Sequence, residues 1–216
     1  MHNVRQGLEM RSAVLVFVRA PEPGRVKTRL AAEIGPAAAL RVYRRLAEHA
    51  VAQARALGDE AAVRIHVAPA GAVEAVRRWL GEGPAYLPQA EGELGERMRA
   101  AFAAAFAAGF GRVVIIGSDL PGLTAVLLRR ALARLEDRAA VLGPARDGGY
   151  YLLGLRAPVE GVFEGIEWST PEVLERTVAK LRAAGVEPAL LETLADVDDA
   201  AGLPPGWREW AVGSEP

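Results

Sequence analysis

Two short apolar runs constrain this chain more than any other feature: "AVLVFV" at residues 13–18 and "RVVIIG" at 112–117. Both are of strand length and rich in valine or isoleucine. Neither alternates with polar residues across its apolar positions. A strand that is apolar on both sides must be covered on both faces, which suits a sheet with helices above and below it. The segments between the runs supply those helices. Pro36 opens a long Ala/Leu/Arg stretch to about Leu57, with apolar residues at Leu40, Tyr43, Leu46 and Ala47, the spacing of one helical face. Further helices are predicted over "VEAVRRWL" (73–80), "LGERMRAAFAAAFAAGF" (ending at Gly109), "LTAVLLRRALARLED" (capped by Thr124) and "STPEVLERTVAKLRAAG" (Ser/Thr start, Pro171, terminal Gly185). Further strands are predicted at "AAVRIHVAP" (61–69), "AYLPQ" (85–89), "AAVLGPA" (139–145), "YYLLGL" (150–155) and "EPALLE". Strands alternating with helices predict an α/β fold with a mostly parallel sheet. No repeat or linker interrupts the pattern, so a single domain is expected over 13–216, after a flexible tail at 1–12.

Bulk composition narrows the function. A net charge of −1 argues against a general nucleic-acid binder, which carries a basic surplus. The chain has no cysteine, so disulfides and thiolate metal sites are excluded. No apolar stretch reaches the length of a membrane span, and the first dozen residues lack a signal-peptide core. The expectation is a cytoplasmic protein with no membrane and no nucleic-acid partner. Its oligomeric state is not legible.

In open α/β sheets, ligands bind beyond the carboxyl ends of the strands, and four loops lie there. The first is "PEPGRVKTRL" (21–30). Pro23 and Gly24 make a turn that delivers Lys27, Thr28 and Arg29. The chain has 24 arginines and only two lysines, Lys27 and Lys180; Lys27 therefore reads as kept for a compact point charge that Arg cannot copy. A Walker loop needs Gly directly before the Lys, and Val26 stands there. What remains is a looser phosphate site of Lys27, Arg29, Thr28 and backbone amides near the next helix start. A solvated basic turn is the alternative.

The second loop, "GSDLPG", places Ser118 and Asp119 at the tip of a central strand. "DVDD" near the C-terminus projects Asp196 and Asp198 to one side of an extended chain. Together with Asp119 they form a candidate hard-oxygen site for Mg²⁺ or Mn²⁺. "GPARDGGYYLLG" brings Asp147, Gly148, Gly149 and Tyr150, and "EWST" brings Trp168 and Ser169; these read as a substrate pocket or, alternatively, as a tight turn and core aromatics. "QAEGELGERM" (89–98) offers Glu93, Gly95 and Arg97 to a nucleotide or acceptor, or is an ordinary loop before a helix. His66 lies inside a strand, where a satisfied structural histidine is expected.

Taken in order, "FVRAPEPGRVKTRLAAEIG", "QAEGELGERM", "IGSDLPGL", "LGPARDGGYYLLGL", "EWST" and "DVDDAAGL" resemble the DUF2064 family, also called rSAM/selenodomain-associated transferase 1, of the nucleotide-diphospho-sugar transferase (GT-A) superfamily. Glu93 stands where the family is expected to favour Asp, and Asp199 where Thr is common. The resemblance implies a three-layer α/β/α, GT-A-like fold with a mixed seven-stranded sheet, and a nucleotide bound over the first strand's loop with a divalent metal. It is similar, through "KTRL" and the late "DVD", to the 2-phospho-L-lactate guanylyltransferases. Expected, then, is a metal-dependent transferase using a nucleotide-sugar or an NTP and a small-molecule acceptor, with Lys27 and Asp119 catalytic. A nucleotidyltransferase is the alternative, and a non-catalytic nucleotide-binding module the alternative of another class.

Overall fold

The computed structural model describes residues 10–213. The tail expected at 1–12 therefore lies largely outside the described residues, and Ser12 already belongs to the first strand. Seven strands, β1 (Ser12–Arg19), β2 (Ala62–Ala68), β3 (Ala85–Pro88), β4 (Arg112–Ile116), β5 (Ala140–Pro144), β6 (Tyr150–Leu155) and β7 (Ala189–Leu190), form one sheet in the order β3-β2-β1-β4-β6-β5-β7. β6 runs antiparallel to β4 and to β5, and every other pairing is parallel. The short connection between β5 and β6 forces that reversal, since only antiparallel neighbours can be joined by a tight turn.

Seven α-helices cover the sheet: α1 (Thr28–Ile34), α2 (Pro36–Arg55), α3 (Val73–Leu80), α4 (Leu94–Ala107), α5 (Ala125–Asp137), α6 (Val173–Ala183) and α7 (Trp207–Gly213). The unbroken apolar runs do what their pattern demands. Val14, Val16 and Val18 of β1 join Val114 and Ile116 of β4 in a core under α2, α3 and α5. Ala13 and Leu15 join Val113 and Ile115 in a second core under α4 and α6. Each large side chain fully buried this way contributes about 1.5–3 kcal/mol. The fold is thus the expected three-layer α/β/α arrangement.

Three local expectations need correction. α6 starts at Val173, not at the Ser/Thr pair: Ser169 has a left-handed φ of 65°, and the Thr170 hydroxyl donates to Glu167 O at 2.9 Å instead of capping. The last strand is only two residues long. α1 and α7 were not anticipated as helices. These two matter for the edge of the sheet, because a third small core contains Leu30 of α1, Val42 and Leu46 of α2, Ala211 of α7 and Val197. Arg41 Nε donates to Ala211 O at 2.8 Å, and the Arg45 guanidinium lies over the rings of Trp207 and Trp210. Val197 is the buried residue between Asp196 and Asp198, so this core anchors the late acidic loop against α1. Among the described residues no helix is long and apolar enough to cross a membrane.

Candidate active site

The four loops meet beyond the carboxyl ends of β1, β4 and β5. After β1 the chain turns through Glu22 to Arg25, with Arg25 N donating to Glu22 O at 3.1 Å. Pro23 and Gly24 (φ 73°) shape this turn and are exposed outside the cleft lining. Lys27 then adopts φ 49°, ψ 51°, a left-handed conformation that costs a non-glycine residue about 1–2 kcal/mol. Its side chain is only 5% exposed; its Nζ lies 2.9 Å from Asp119 Oδ2 and 3.2 Å from Asp198 Oδ1. Arg29 Nη1 is 3.7 Å from Asp198 Oδ2, and Thr28 is exposed at the rim. Lys27 is thus the shared counter-ion of two of the acids. An ammonium has three donors, and two are engaged here.

The late acidic loop reaches this place by a specific route. After β7, Leu194 pairs with Ala145, and Arg146 N donates to Leu194 O at 3.0 Å. Val197 N donates to Asp119 O at 3.2 Å, which ties the loop to the end of β4. As a result Asp147, Asp196 and Asp198 each offer a carboxylate oxygen within 4.8 Å of the others. The metal set read from sequence is thus regrouped. Asp147, expected in the substrate pocket, stands with Asp196 and Asp198, while Asp119 has committed Oδ2 to Lys27. Asp119 Oδ1 is shielded from solvent and has no hydrogen-bond partner. The Asp196 carboxyl is pushed up by burial, then by Asp198 and Asp147, as expected for acids gathered without sufficient positive charge.

Two adjoining hollows are built on these residues. The larger, about 610 Å³, is lined by Lys27, Thr28, Arg29, Ser118, Asp119, Asp147 and Asp198, and by Arg19, Arg25 and Arg97. The smaller, about 330 Å³, is lined by Asp119, Asp147, Gly149, Tyr150, Trp168, Ser169 and Asp196, with Leu120 and Val173. Gly148 lies behind it with φ 89°. Gly95 is a close-approach glycine: a Cβ there would stand 2.6 Å from the Trp168 ring, so the indole lies directly on the start of α4. Glu93 is the N-cap of α4, its N–H donating to Glu96 Oε2 at 2.9 Å; it lines neither hollow. Arg97 Nε donates to Gly92 O at 2.8 Å, which holds its guanidinium at the cleft. Tyr150 points its hydroxyl at Met98 Sδ, 3.9 Å away, and burial raises its pKa. A larger cavity, about 1010 Å³, sits at the opposite end of the sheet. There Arg112 and Arg129 are already paired with Glu136 and Glu60, and none of the four loops reaches it.

Several cleft residues escaped the sequence reading, Arg19, Tyr43 and Gln89 among them. Tyr43, expected only as a core residue of α2, donates its hydroxyl to Arg19 O at 2.7 Å and accepts from Arg19 N at 2.8 Å. Burial, and then Asp119, push its pKa up to about 12. It clasps the end of β1. Gln89 Nε2 donates to His66 O at 2.9 Å and fastens the ends of neighbouring strands. An isolated Gln after the strand-ending Pro88 was the only signal for it.

His66 is buried as expected, stacked on Phe17 with ring centroids 5.6 Å apart, but its Nε2 has no partner. Burial, and then Arg64, lower its pKa from 6.5 to about 4. Above pH 6.5 both the folded and unfolded forms are neutral there. As pH falls towards 4 only the unfolded chain takes the proton, so stability is lost, by about 2–3 kcal/mol at pH 4.5. His66→Phe keeps the stack and removes the proton. Urea unfolding at pH 7 and 4.5 should show a smaller acid loss in the variant by that amount; equal losses would remove His66 from the acid response.

The fold is shared with known proteins. A crystal structure from Desulfovibrio desulfuricans G20, provisionally described as a nucleotide-diphospho-sugar transferase, is 35% identical, with a TM-score of 0.83 over 94% of this chain and 92% of that one. CMP:2-keto-3-deoxy-manno-octonic acid synthetase, solved with CTP, superimposes at a TM-score of 0.56 with 14% identity, over 94% of this chain and 100% of that one. Rv0371c of Mycobacterium tuberculosis H37Rv, solved with manganese, does so at 0.53 with 16% identity, over 95% and 100%. The last two share the fold alone. Among curated proteins none matches. The class defined by fold and family is therefore a transferase of the nucleotide-diphospho-sugar superfamily. The chain belongs to the family described as "Uncharacterized protein conserved in bacteria (DUF2064)", which matches residues 50–170.

Proposed function

We propose that this chain is a metal-dependent transferase that binds a nucleotide-sugar in the 610 Å³ cleft and passes its sugar to a small-molecule acceptor. The observation that carries this reading is Lys27. It is held in a strained backbone conformation with its ammonium between Asp119 and Asp198, in a cleft lined by four arginines as well. Its third N–H is left for a phosphate oxygen. Arg25, Arg29 and Arg97 supply further charge-assisted donors for a diphosphate, and fixed positive charge near the leaving phosphates stabilises the negative charge that develops there.

The residues also fit a hard cation, because the site offers only carboxylate oxygens, three of them within 4.8 Å of one another, and Asp119 Oδ1 has no other partner. Asp147, Asp196 and Asp198 would hold Mg²⁺ or Mn²⁺, with Asp119 Oδ1 beside them, and the bound ion would neutralise phosphate charge. In sugar transfer the acceptor oxygen bonds to the anomeric carbon as the bond from that carbon to the diphosphate breaks. The acceptor's proton passes to solvent, and the nucleoside diphosphate leaves.

A second reading, nucleotidyl transfer from an NTP, is favoured by the number of basic side chains, since five of them line the cleft and a triphosphate needs more neutralisation than a diphosphate. The test is a panel of NTPs and NDP-sugars with Mg²⁺ or Mn²⁺, followed by thermal shift and by product release. Nucleoside diphosphate release supports sugar transfer, and pyrophosphate release supports the second reading. Binding with neither product would make the chain a nucleotide-binding module.

A further inference from the structure

The two hollows differ in charge. The larger carries five basic side chains, Arg19, Arg25, Lys27, Arg29 and Arg97, against three carboxylates, Asp119, Asp147 and Asp198. The smaller carries three carboxylates, Asp119, Asp147 and Asp196, and no Lys or Arg at all. Its remaining wall is apolar and aromatic, with Trp168, Tyr150, Leu120 and Val173. The indole is fixed in place by its contact with Gly95, and the Tyr150 hydroxyl points away to Met98 Sδ. The hollows share Asp119, Asp147, Gly117, Leu94 and Ser169, so a molecule in the smaller one abuts whatever fills the larger. At about 330 Å³ it lies at the small end of ligand sites.

We propose that this smaller hollow takes an uncharged, hydroxyl-bearing molecule with an apolar face, and that it excludes phosphorylated and carboxylated acceptors. This rests on the nucleotide-transferase reading above and names the second substrate's class. An anion placed here would meet the Asp147 and Asp196 carboxylates and no lining cation, Lys27 outside the lining being already engaged by Asp119 and Asp198, and a desolvated, unpaired charge is costly. A neutral molecule instead lays its apolar face on Trp168 and donates its hydroxyl to a carboxylate, a charge-assisted hydrogen bond. Even with a divalent ion on Asp147, Asp196 and Asp198, the adjoining nucleotide phosphates bring further negative charge, and a second anion remains uncompensated.

The experiment titrates the full chain, with Mg²⁺ present, against matched probes: glycerol and glycerol 3-phosphate, methyl α-glucoside and glucose 6-phosphate, benzyl alcohol and benzoate. Binding is followed by saturation-transfer NMR and calorimetry. At least one neutral member is expected to bind at least tenfold more tightly than its anionic partner. Trp168→Ala should weaken that neutral probe at least tenfold, and Thr170→Lys, which adds a cation to this hollow alone, should shift the preference towards the anion. Tighter or equal binding of the anionic members, no binding by any neutral member, or indifference to both substitutions would overturn the proposal. Nucleotide binding is measured separately by the donor panel. If nucleotides fail there while the probes separate as expected, the transferase reading falls and the assignment of this hollow stands.

Discussion

Lys27→Met is expected to weaken nucleotide binding at least about tenfold, the worth of one charge-assisted contact of roughly 1.4 kcal/mol or more, and at the same time to strengthen Mn²⁺ binding without nucleotide. The two effects come from one atom. Lys27 Nζ is the ammonium shared by Asp119 Oδ2 and Asp198 Oδ1, so it competes with any cation for these oxygens and presents its remaining donor to the cleft. Removing it leaves the carboxylates facing one another and free to accept a metal. Both acids are more than 40% exposed, so water screens much of their repulsion and the loss of stability should be about 1 kcal/mol or less. Lys27→Arg should recover only part of the nucleotide affinity, because a planar fork cannot copy a point charge held between two carboxylates. Calorimetric titration of each variant with nucleotide, and separately with Mn²⁺, checks this. Unchanged nucleotide affinity in Lys27→Met would remove Lys27 from the phosphate site.

Gly148→Ala is expected to destabilise the protein by about 2–4 kcal/mol, combining left-handed strain with overpacking, and to abolish turnover. Gly148 has φ 89°. A Cβ there would stand 2.1 Å from Pro171 O and 2.6 Å from Pro171 Cα, backbone atoms that cannot swing aside. The contact docks the β5–β6 turn against the segment before α6, and Leu174 N in the first turn of α6 donates to Gly148 O at 2.9 Å. That docking sets Asp147 beside Asp196 and closes the smaller hollow. Urea unfolding of the variant gives the stability loss, and the product assay gives the activity. A variant as stable as the parent would show that the turn can relax without cost.

The sheet was legible because both faces of β1 and β4 are buried, which writes itself into unbroken apolar runs. The candidate site at the sheet edge was legible as a meeting of loops, from Lys27, the rare lysine, and from Asp119, Asp196 and Asp198 following strands. What sequence spacing could not supply was the pairing among them. The β5–β6 turn and the Ala145–Leu194 bridge bring Asp147 to Asp196 across some 49 residues of chain, and no local pattern encodes that. α7 hid because its packing partners on α1 and α2 lie far away in sequence. Glu93 looked like a ligand residue because a capping acid and a binding acid have the same letter. Tyr43 looked like core because it is core, with its hydroxyl alone reaching the cleft.

Lys27 already occupies two of the acidic oxygens, so the protein should hold a divalent ion weakly by itself and much more tightly once nucleotide phosphates supply further ligands. The direct measurement is a Mn²⁺ titration followed by water-proton relaxation, with and without the nucleotide that the donor panel identifies, in the parent and in Asp198→Asn. The expected result is a rise of at least tenfold in Mn²⁺ affinity on adding nucleotide, largely lost in Asp198→Asn while the fold is retained. Nucleotide binding that is indifferent to chelator, with Mn²⁺ affinity unchanged by nucleotide, would contradict a shared metal and phosphate site.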